Sequence, residues 1–146
     1  MLSKTCEYAI RALVYIVFKS QKGNKLSIKD IAYEIDSPEH FTAKILQTLS
    51  RQGIVSSTKG PNGGFYIEKD SSPIPIINVI KAIDGPKPLD TCVLGLKACN
   101  DLEPCPMHKD YKGIKQNLLA LFSTKTIQDL AEDVAEGKLL KSLYEK

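Results

Sequence analysis

The sequence predicts a mainly α-helical chain carrying one small β-hairpin. Apolar residues recur at three- and four-residue spacing through most of its 146 residues. One glycine-rich turn, Gly60-Pro61-Asn62-Gly63-Gly64, stands between two short β-branched or aromatic runs. Serine, proline and glycine mark the edges of the segments between. This length fits one small domain with an appendage, and composition shifts divide it at 1–85, 86–108 and 109–146.

A first helix is expected over 3–20, capped by Ser3 or Thr5, with Glu7 in its first turn and Ile10, Leu13, Val14 and Val17 on one face. After a polar turn at 21–25, Ser27-Ile28-Lys29-Asp30 reads as an N-cap with an acid three residues on. The helix it opens buries Ile28, Ile31, Ala32 and Ile35 and ends near Asp36. Ser37-Pro38-Glu39 opens a third helix: serine caps, proline suits the first helical position and glutamate the positive end of the dipole. It runs to about Gln52, where Gly53 stops it, with Phe41, Ile45, Leu46 and Leu49 inward.

Residues 54–59 and 65–67 are the strands of the hairpin. A helix over 76–83, between Pro75 and Gly85, precedes a linker at 86–90. A long helix follows over 106–122, with Ile114, Leu118, Leu121 and Phe122 on one face. A last helix covers 126–134, with Asp129 three residues after its cap Thr126. The tail beyond Gly137 is lysine-rich and expected to be mobile. Three helices with a tight second-to-third connection, followed by a hairpin, describe a winged helix-turn-helix, with a long helix C-terminal to it.

Charge agrees with that reading. The net +3 resides entirely in residues 1–70, which carry ten Lys/Arg against seven Asp/Glu; residues 71–146 carry ten of each. The first half is therefore the half suited to an anionic polymer. The most apolar stretch, 12–18, is too short for a membrane span, which takes about 20 residues. No cleavable leader pattern is present, so a cytoplasmic protein is expected. Thiols stay reduced there, and clustered cysteines mean metal or redox chemistry rather than structural disulfides. No acid/base pair or activated nucleophile converges, so an enzyme is not expected.

Two constellations carry chemistry. The outer face of the third helix presents small, polar and basic groups. Its surface charges alone would suit any amphipathic helix, but its place ahead of a wing makes it a recognition helix. Thr42, Ala43, Lys44 and Gln47 are the base-contacting candidates, and Arg51 is better placed for phosphate. At the hairpin tip, Lys59, Gly60, Pro61, Asn62 and Gly63 form the wing, whose glycines let backbone approach DNA while Lys59 meets phosphate or the minor groove. The second constellation is Cys92, Cys99, Cys105 and His108, on a segment with no helical or strand period. Thiolates and an imidazole so close fit a structural zinc or an iron–sulfur cluster. Against zinc, there is no CxxC knuckle and the spacings are loose. Three cysteines leave one coordination position for a weaker ligand, which suits a labile sensory cluster.

Three segments together resemble the IscR/NsrR-type regulators, bacterial winged-helix repressors and activators that commonly carry an iron–sulfur cluster. They are Lys4 to Leu13, Phe41 to Gly64 with its Phe41-Thr42-Ala43-Lys44-Ile45-Leu46 and Lys59-Gly60-Pro61-Asn62-Gly63-Gly64-Phe65 signatures, and Cys92 to Tyr111. The resemblance implies a homodimer joined through the long helix, binding palindromic double-stranded DNA with one recognition helix per half-site. It implies Cys92, Cys99 and Cys105 as ligands of a cluster, [2Fe–2S] in preference to [4Fe–4S]. Two fourth ligands compete: His108, or Glu7 donated by the partner subunit. Tyr111 stands where members often have tryptophan. Ala43 replaces a polar or charged base-reading group, so the target sequence does not carry over. The function implied is transcriptional regulation that senses redox state, nitric oxide or iron–sulfur status. The alternatives are a cluster-free thiol or zinc regulator and, from another class, a small iron–sulfur carrier, which would need neither wing nor recognition helix.

Overall fold

A computed structural model describes residues 2–20, 23–86, 91–97 and 99–135. The expected linker at 86–90 lies mostly, and the tail beyond 137 wholly, outside the described residues. The elements are α1 (Lys4–Ser20), α2 (Ile28–Glu34), α3 (Glu39–Arg51), β1 (Ser56–Thr58), β2 (Gly64–Tyr66), α4 (Ile76–Asp84), α5 (His108–Thr124) and α6 (Ile127–Ala135). The mainly helical class with an antiparallel hairpin is as the sequence predicts.

Helix α1 is the centre of the core. Leu13, Val14, Ile16 and Val17 are buried, together with Ile31 of α2, its C-cap Ile35, and Ile45, Leu46 and Leu49 of α3. Full burial of side chains this size is worth about 1.5–3 kcal/mol each. Ser3 caps α1: its hydroxyl accepts from the Cys6 N–H at 3.0 Å and donates to the Asp84 carboxylate at 2.5 Å, which ties the end of α4 to the start of α1.

The turn between α2 and α3 is set by backbone bonds. The Ser37 N–H donates to the Ala32 carbonyl at 3.0 Å and the Asp36 N–H to the Tyr33 carbonyl at 3.3 Å, while Asp36 takes φ +52°. This is a Schellman closure, which usually uses glycine where aspartate stands here. Ser27 caps α2 as predicted, accepting from the Asp30 N–H at 3.1 Å. Ser37 does not cap α3. The first α3 bond runs from the Thr42 N–H to the Pro38 carbonyl at 2.9 Å, so Pro38 is the cap residue and Ser37 lies one position outside. The Ser37 hydroxyl oxygen is buried without a hydrogen-bond partner among the described residues. Helix α3 closes on Gly53 as expected: the Ile54 N–H reaches the Leu49 carbonyl at 2.9 Å, with Gly53 at φ +74°.

The strands are shorter than the sequence suggests, with three residues each paired Ser56–Tyr66, Ser57–Phe65 and Thr58–Gly64. So short a hairpin is marginal alone. A third edge supports it: Leu26 and Phe65 exchange backbone bonds at 2.9 and 2.7 Å. Val55 and Ile67 bury the hairpin's base.

The C-terminal part returns to the same core. The Ile76 N–H donates to the Lys125 carbonyl at 3.0 Å, and the Ile127 N–H to the Ile74 carbonyl at 2.8 Å. Thr126 and Asp129 cap α6 reciprocally, each backbone N–H bonded to the other's side chain at 3.0 Å. Ile127 and Ala131 then join the α1 core, so α6 packs on the first helix rather than standing apart with α5. In α5, by contrast, no residue is buried.

Gly64 has φ +149°, and a Cβ there would meet the Leu26 carbonyl oxygen at 2.7 Å. Gly64→Ala should therefore cost about 1–3 kcal/mol through backbone strain alone. Thermal unfolding checks this, and a melting temperature equal to the parent's would refute it.

Candidate metal centre and nucleic-acid interface

The three loop cysteines converge. The sulfurs of Cys92, Cys99 and Cys105 all lie within 4.8 Å of one another, and Cys92 Sγ is 3.5 Å from Cys105 Sγ. Local turns bring them there. The Gly95 N–H bonds the Cys92 carbonyl at 2.9 Å, with Gly95 at φ +73°. Asn100 Oδ1 accepts from the Leu102 and Glu103 N–H groups at 2.8 and 2.9 Å, folding the chain back toward Cys105. The His108 N–H reaches the Cys105 carbonyl at 3.0 Å, and His108 begins α5. The thiols and His108 line a cavity of about 300 Å³ that Tyr111 and Lys112 also line.

The donor set suits a thiophilic metal or cluster. Backbone N–H groups of Leu96 and Leu94 point at Cys92 and, with the neighbouring thiols, bring its pKa down to about 7. For Cys99 the Cys105 backbone pulls the other way, but burial and the adjacent Cys105 and Cys92 sulfurs together push the thiol above its ordinary value. Three sulfurs this close, one of them with a lowered pKa, form a donor set that a thiophilic cation binds with release of protons.

His108 is at the thiols: its Nδ1 lies 3.3 Å from Cys99 Sγ. Its other nitrogen, Nε2, is 2.9 Å from Asp101 Oδ1, and Lys112 Nζ donates to both Asp101 oxygens at 2.9 Å. The Lys112 ammonium, and after it the His108 ring, hold the Asp101 carboxyl below its ordinary range. The sequence scarcely marks Asp101 and Lys112. The only signal was Lys112 one helical turn after His108, and its pairing with a loop acid eleven residues back is a property of the fold. Glu7 sits in the first turn of α1, 3.4 Å from Lys4, and is not in the three-thiol group.

On the other constellation, Lys44, Gln47 and Arg51 are exposed and Ala43 is half-buried. Spaced by three and four along α3, the three exposed side chains share one face. Thr42 is a correction: it is fully buried, and its hydroxyl donates to the Pro38 carbonyl at 3.0 Å. Its side chain packs in the core and has no path to a base edge. Lys59, Gly60, Pro61 and Asn62 are exposed, and Gly63 is half-buried. The Gly63 N–H closes the wing tip onto the Gly60 carbonyl at 3.0 Å, and a Cβ on Gly63 would collide with the Thr58 carbonyl. Between α3 and the hairpin runs an open groove of about 360 Å³ lined by Gln47, Ser50, Arg51, Ser57 and Phe65.

Cys6, the fourth cysteine, is fully buried under α4, and burial with the nearby Asp84 and Glu7 charges pushes its thiol up to about 12. Native metal-free protein should therefore consume a thiol reagent at three sites, with Cys6 reacting only on unfolding. Mass mapping of alkylated peptides checks this, and native labelling of Cys6 would contradict it.

Comparison with known proteins places this architecture. The family model described as "Iron-dependent Transcriptional regulator", Rrf2, matches residues 2–133. An HTH-type transcriptional regulator of Aquifex aeolicus is 30% identical over 132 residues, covering 89% of this chain and 90% of that protein. The HTH-type transcriptional regulator IscR of Photorhabdus laumondii is 25% identical, covering 90% of this chain and 79% of its own length. Among solved structures, T. potens IscR superposes with a TM-score of 0.72 at 17% identity, over 100% of this chain and 96% of that one. CymR, the global cysteine regulator of B. subtilis, superposes at 0.71 with 22% identity, over 90% and 96%. Among the described residues, no helix is long and apolar enough to cross a membrane. The chain belongs to the Rrf2 family of DNA-binding transcriptional regulators.

Proposed function

We propose that this regulator senses redox state, nitric oxide or iron–sulfur supply through a labile cluster held by Cys92, Cys99 and Cys105, with His108 as the fourth ligand. The observation that carries the reading is the set of three sulfurs within 4.8 Å with an imidazole nitrogen 3.3 Å from one of them. Mixed thiolate and imidazole donors favour [2Fe–2S] over [4Fe–4S]. The iron-dependence in the family's description and the IscR relatives point the same way. When bound, such a cluster supplies a redox-active, releasable iron centre.

The chain's own residues supply the connection to DNA. His108 is both a candidate ligand and the first residue of α5. Helix α5 packs on α4, and α4 packs on both α1 and the recognition helix α3. Ordering the cysteine loop fixes the start of α5, and through α4 the setting of α3. Ile114 and Leu121 of α5 are more than half exposed in one chain, which suits a second copy covering them in a cytoplasmic homodimer. The dimer presents two α3 helices to successive half-sites of a palindromic operator. Lys44 and Gln47 face base edges there, Arg51 and Lys59 phosphates, and the Gly60–Gly63 backbone follows the groove wall.

Two arms test this. Anaerobically purified protein should be coloured and contain iron and sulfide, and Cys99→Ala should lose both; a coloured, iron-replete variant would remove the cluster assignment, and a colourless parent with zinc would favour the zinc reading. On its own promoter, Arg51→Ala should weaken binding and lower the salt slope by about 0.9 per subunit, or about 1.8 for the dimer. Thr42→Val should leave affinity near the parent's. An unchanged salt slope in the first variant would take Arg51 out of the interface.

A further inference from the structure

Resting on the cluster reading, one arrangement at the site goes beyond it. We propose that Asp101 and Lys112 are positioning residues that lock the His108 ring, so that Nδ1 is the nitrogen it offers to the cluster.

The inference follows from hydrogen-bond chemistry. Asp101 Oδ1 lies 2.9 Å from His108 Nε2. An ionised carboxylate only accepts, so Nε2 carries the ring hydrogen. A histidine that binds metal is neutral and has one such hydrogen, so Nδ1 is left with a free lone pair. That lone pair is on the nitrogen 3.3 Å from Cys99 Sγ. Lys112 keeps Asp101 in this role: its ammonium donates to both carboxylate oxygens at 2.9 Å. That fixes the carboxylate in one orientation behind the ring. The scaffold for the clamp is local. His108 and Lys112 are four apart on α5, hence on one face of the helix. The Asn100 side chain, bonded to the Leu102 and Glu103 N–H groups, sets the turn that carries Asp101 over both.

A carboxylate behind a histidine fixes the tautomer and raises the basicity of the coordinating nitrogen, and its loss commonly weakens metal retention about 10–100-fold. Asp101 thus strengthens the weakest of the four donors, and it sets how readily the cluster is released. The clamp also joins the cysteine loop to α5 independently of any metal.

The test has two readouts. In metal-free, ¹⁵N-labelled protein at pH 8 and low temperature, the His108 ring hydrogen should be found on Nε2 and exchange slowly with water. In Asp101→Ala its exchange should become too fast to observe. A ring hydrogen on Nδ1 in the parent would overturn the proposal. In anaerobically loaded protein, pulsed EPR of the reduced cluster should detect an iron-bound nitrogen that His108→Ala removes. Asp101→Ala should release iron to a chelator about 10-fold faster. Asp101→Glu, which keeps the carboxylate, should restore release to within about threefold of the parent. Equal release rates in the parent and Asp101→Ala would overturn the clamp. A parent that binds no iron would overturn the cluster reading instead, and the ring-hydrogen measurement would still decide the clamp.

Discussion

Burial of α1 is the constraint on which the rest of the structure depends. Helices α2, α3, α4 and α6 and strand β2 all pack against it. Its apolar residues occupy so much of the circumference that solvent reaches little of the helix: Ala9, Ala12, Leu13, Val14, Ile16 and Val17 are all buried. An all-round apolar helix of this kind demands partners on every side. Those partners hold α3 with Lys44, Gln47 and Arg51 outward, and hold the hairpin so that Ser57 and Phe65 line a groove with Gln47 and Arg51. The placing of the residues proposed to face DNA is a consequence of how α1 is covered.

Helix α5 is the exception, and the proposed coupling rests on its exceptional position. It packs on α4 and has no buried residue of its own. Its ends are held instead. At the C-terminal end, the backbone exchange between 74–76 and 125–127 fixes it to the domain. At the N-terminal end, it is held by the cysteine loop through the Cys105–His108 turn and the Asp101 bridge to His108 and Lys112. In the proposed coupling, a helix anchored at one end by fixed backbone bonds and at the other by the cysteine loop responds to what that loop holds. Coupling of this kind needs only that the two states of the loop set α5 differently.

Much of this was legible in the sequence. Helical periodicity placed all six described helices to within about two residues, the usual scatter of such boundaries. Gly53, Gly85 and the Gly60–Gly64 turn stopped or reversed the chain where expected. The cysteine spacing marks a candidate metal centre, and its three sulfurs lie within 4.8 Å of one another. What was not legible was long-range. Leu26 pairing with Phe65 and Ile74 with Ile127 are contacts between segments with no local signature. Ser37 looked like a cap, but the Pro38 carbonyl takes the first helical bond and leaves the serine outside. Thr42 sat among surface-type residues by composition, yet a hydroxyl that bonds back to its own helix can be buried at little cost. The clamp on His108 needed a loop acid and a helix lysine to meet, and their sequence positions do not announce it.

The central claim is that the state of the cysteine loop sets the affinity of α3 for DNA. The most direct measurement is fluorescence anisotropy on a labelled fragment of the protein's own promoter, at fixed salt, with anaerobically loaded protein before and after the iron is chelated away. Coupling through α5 and α4 predicts a change of about 5–150-fold in Kd. Identical affinities for the loaded and stripped protein, both folded and dimeric, would contradict it.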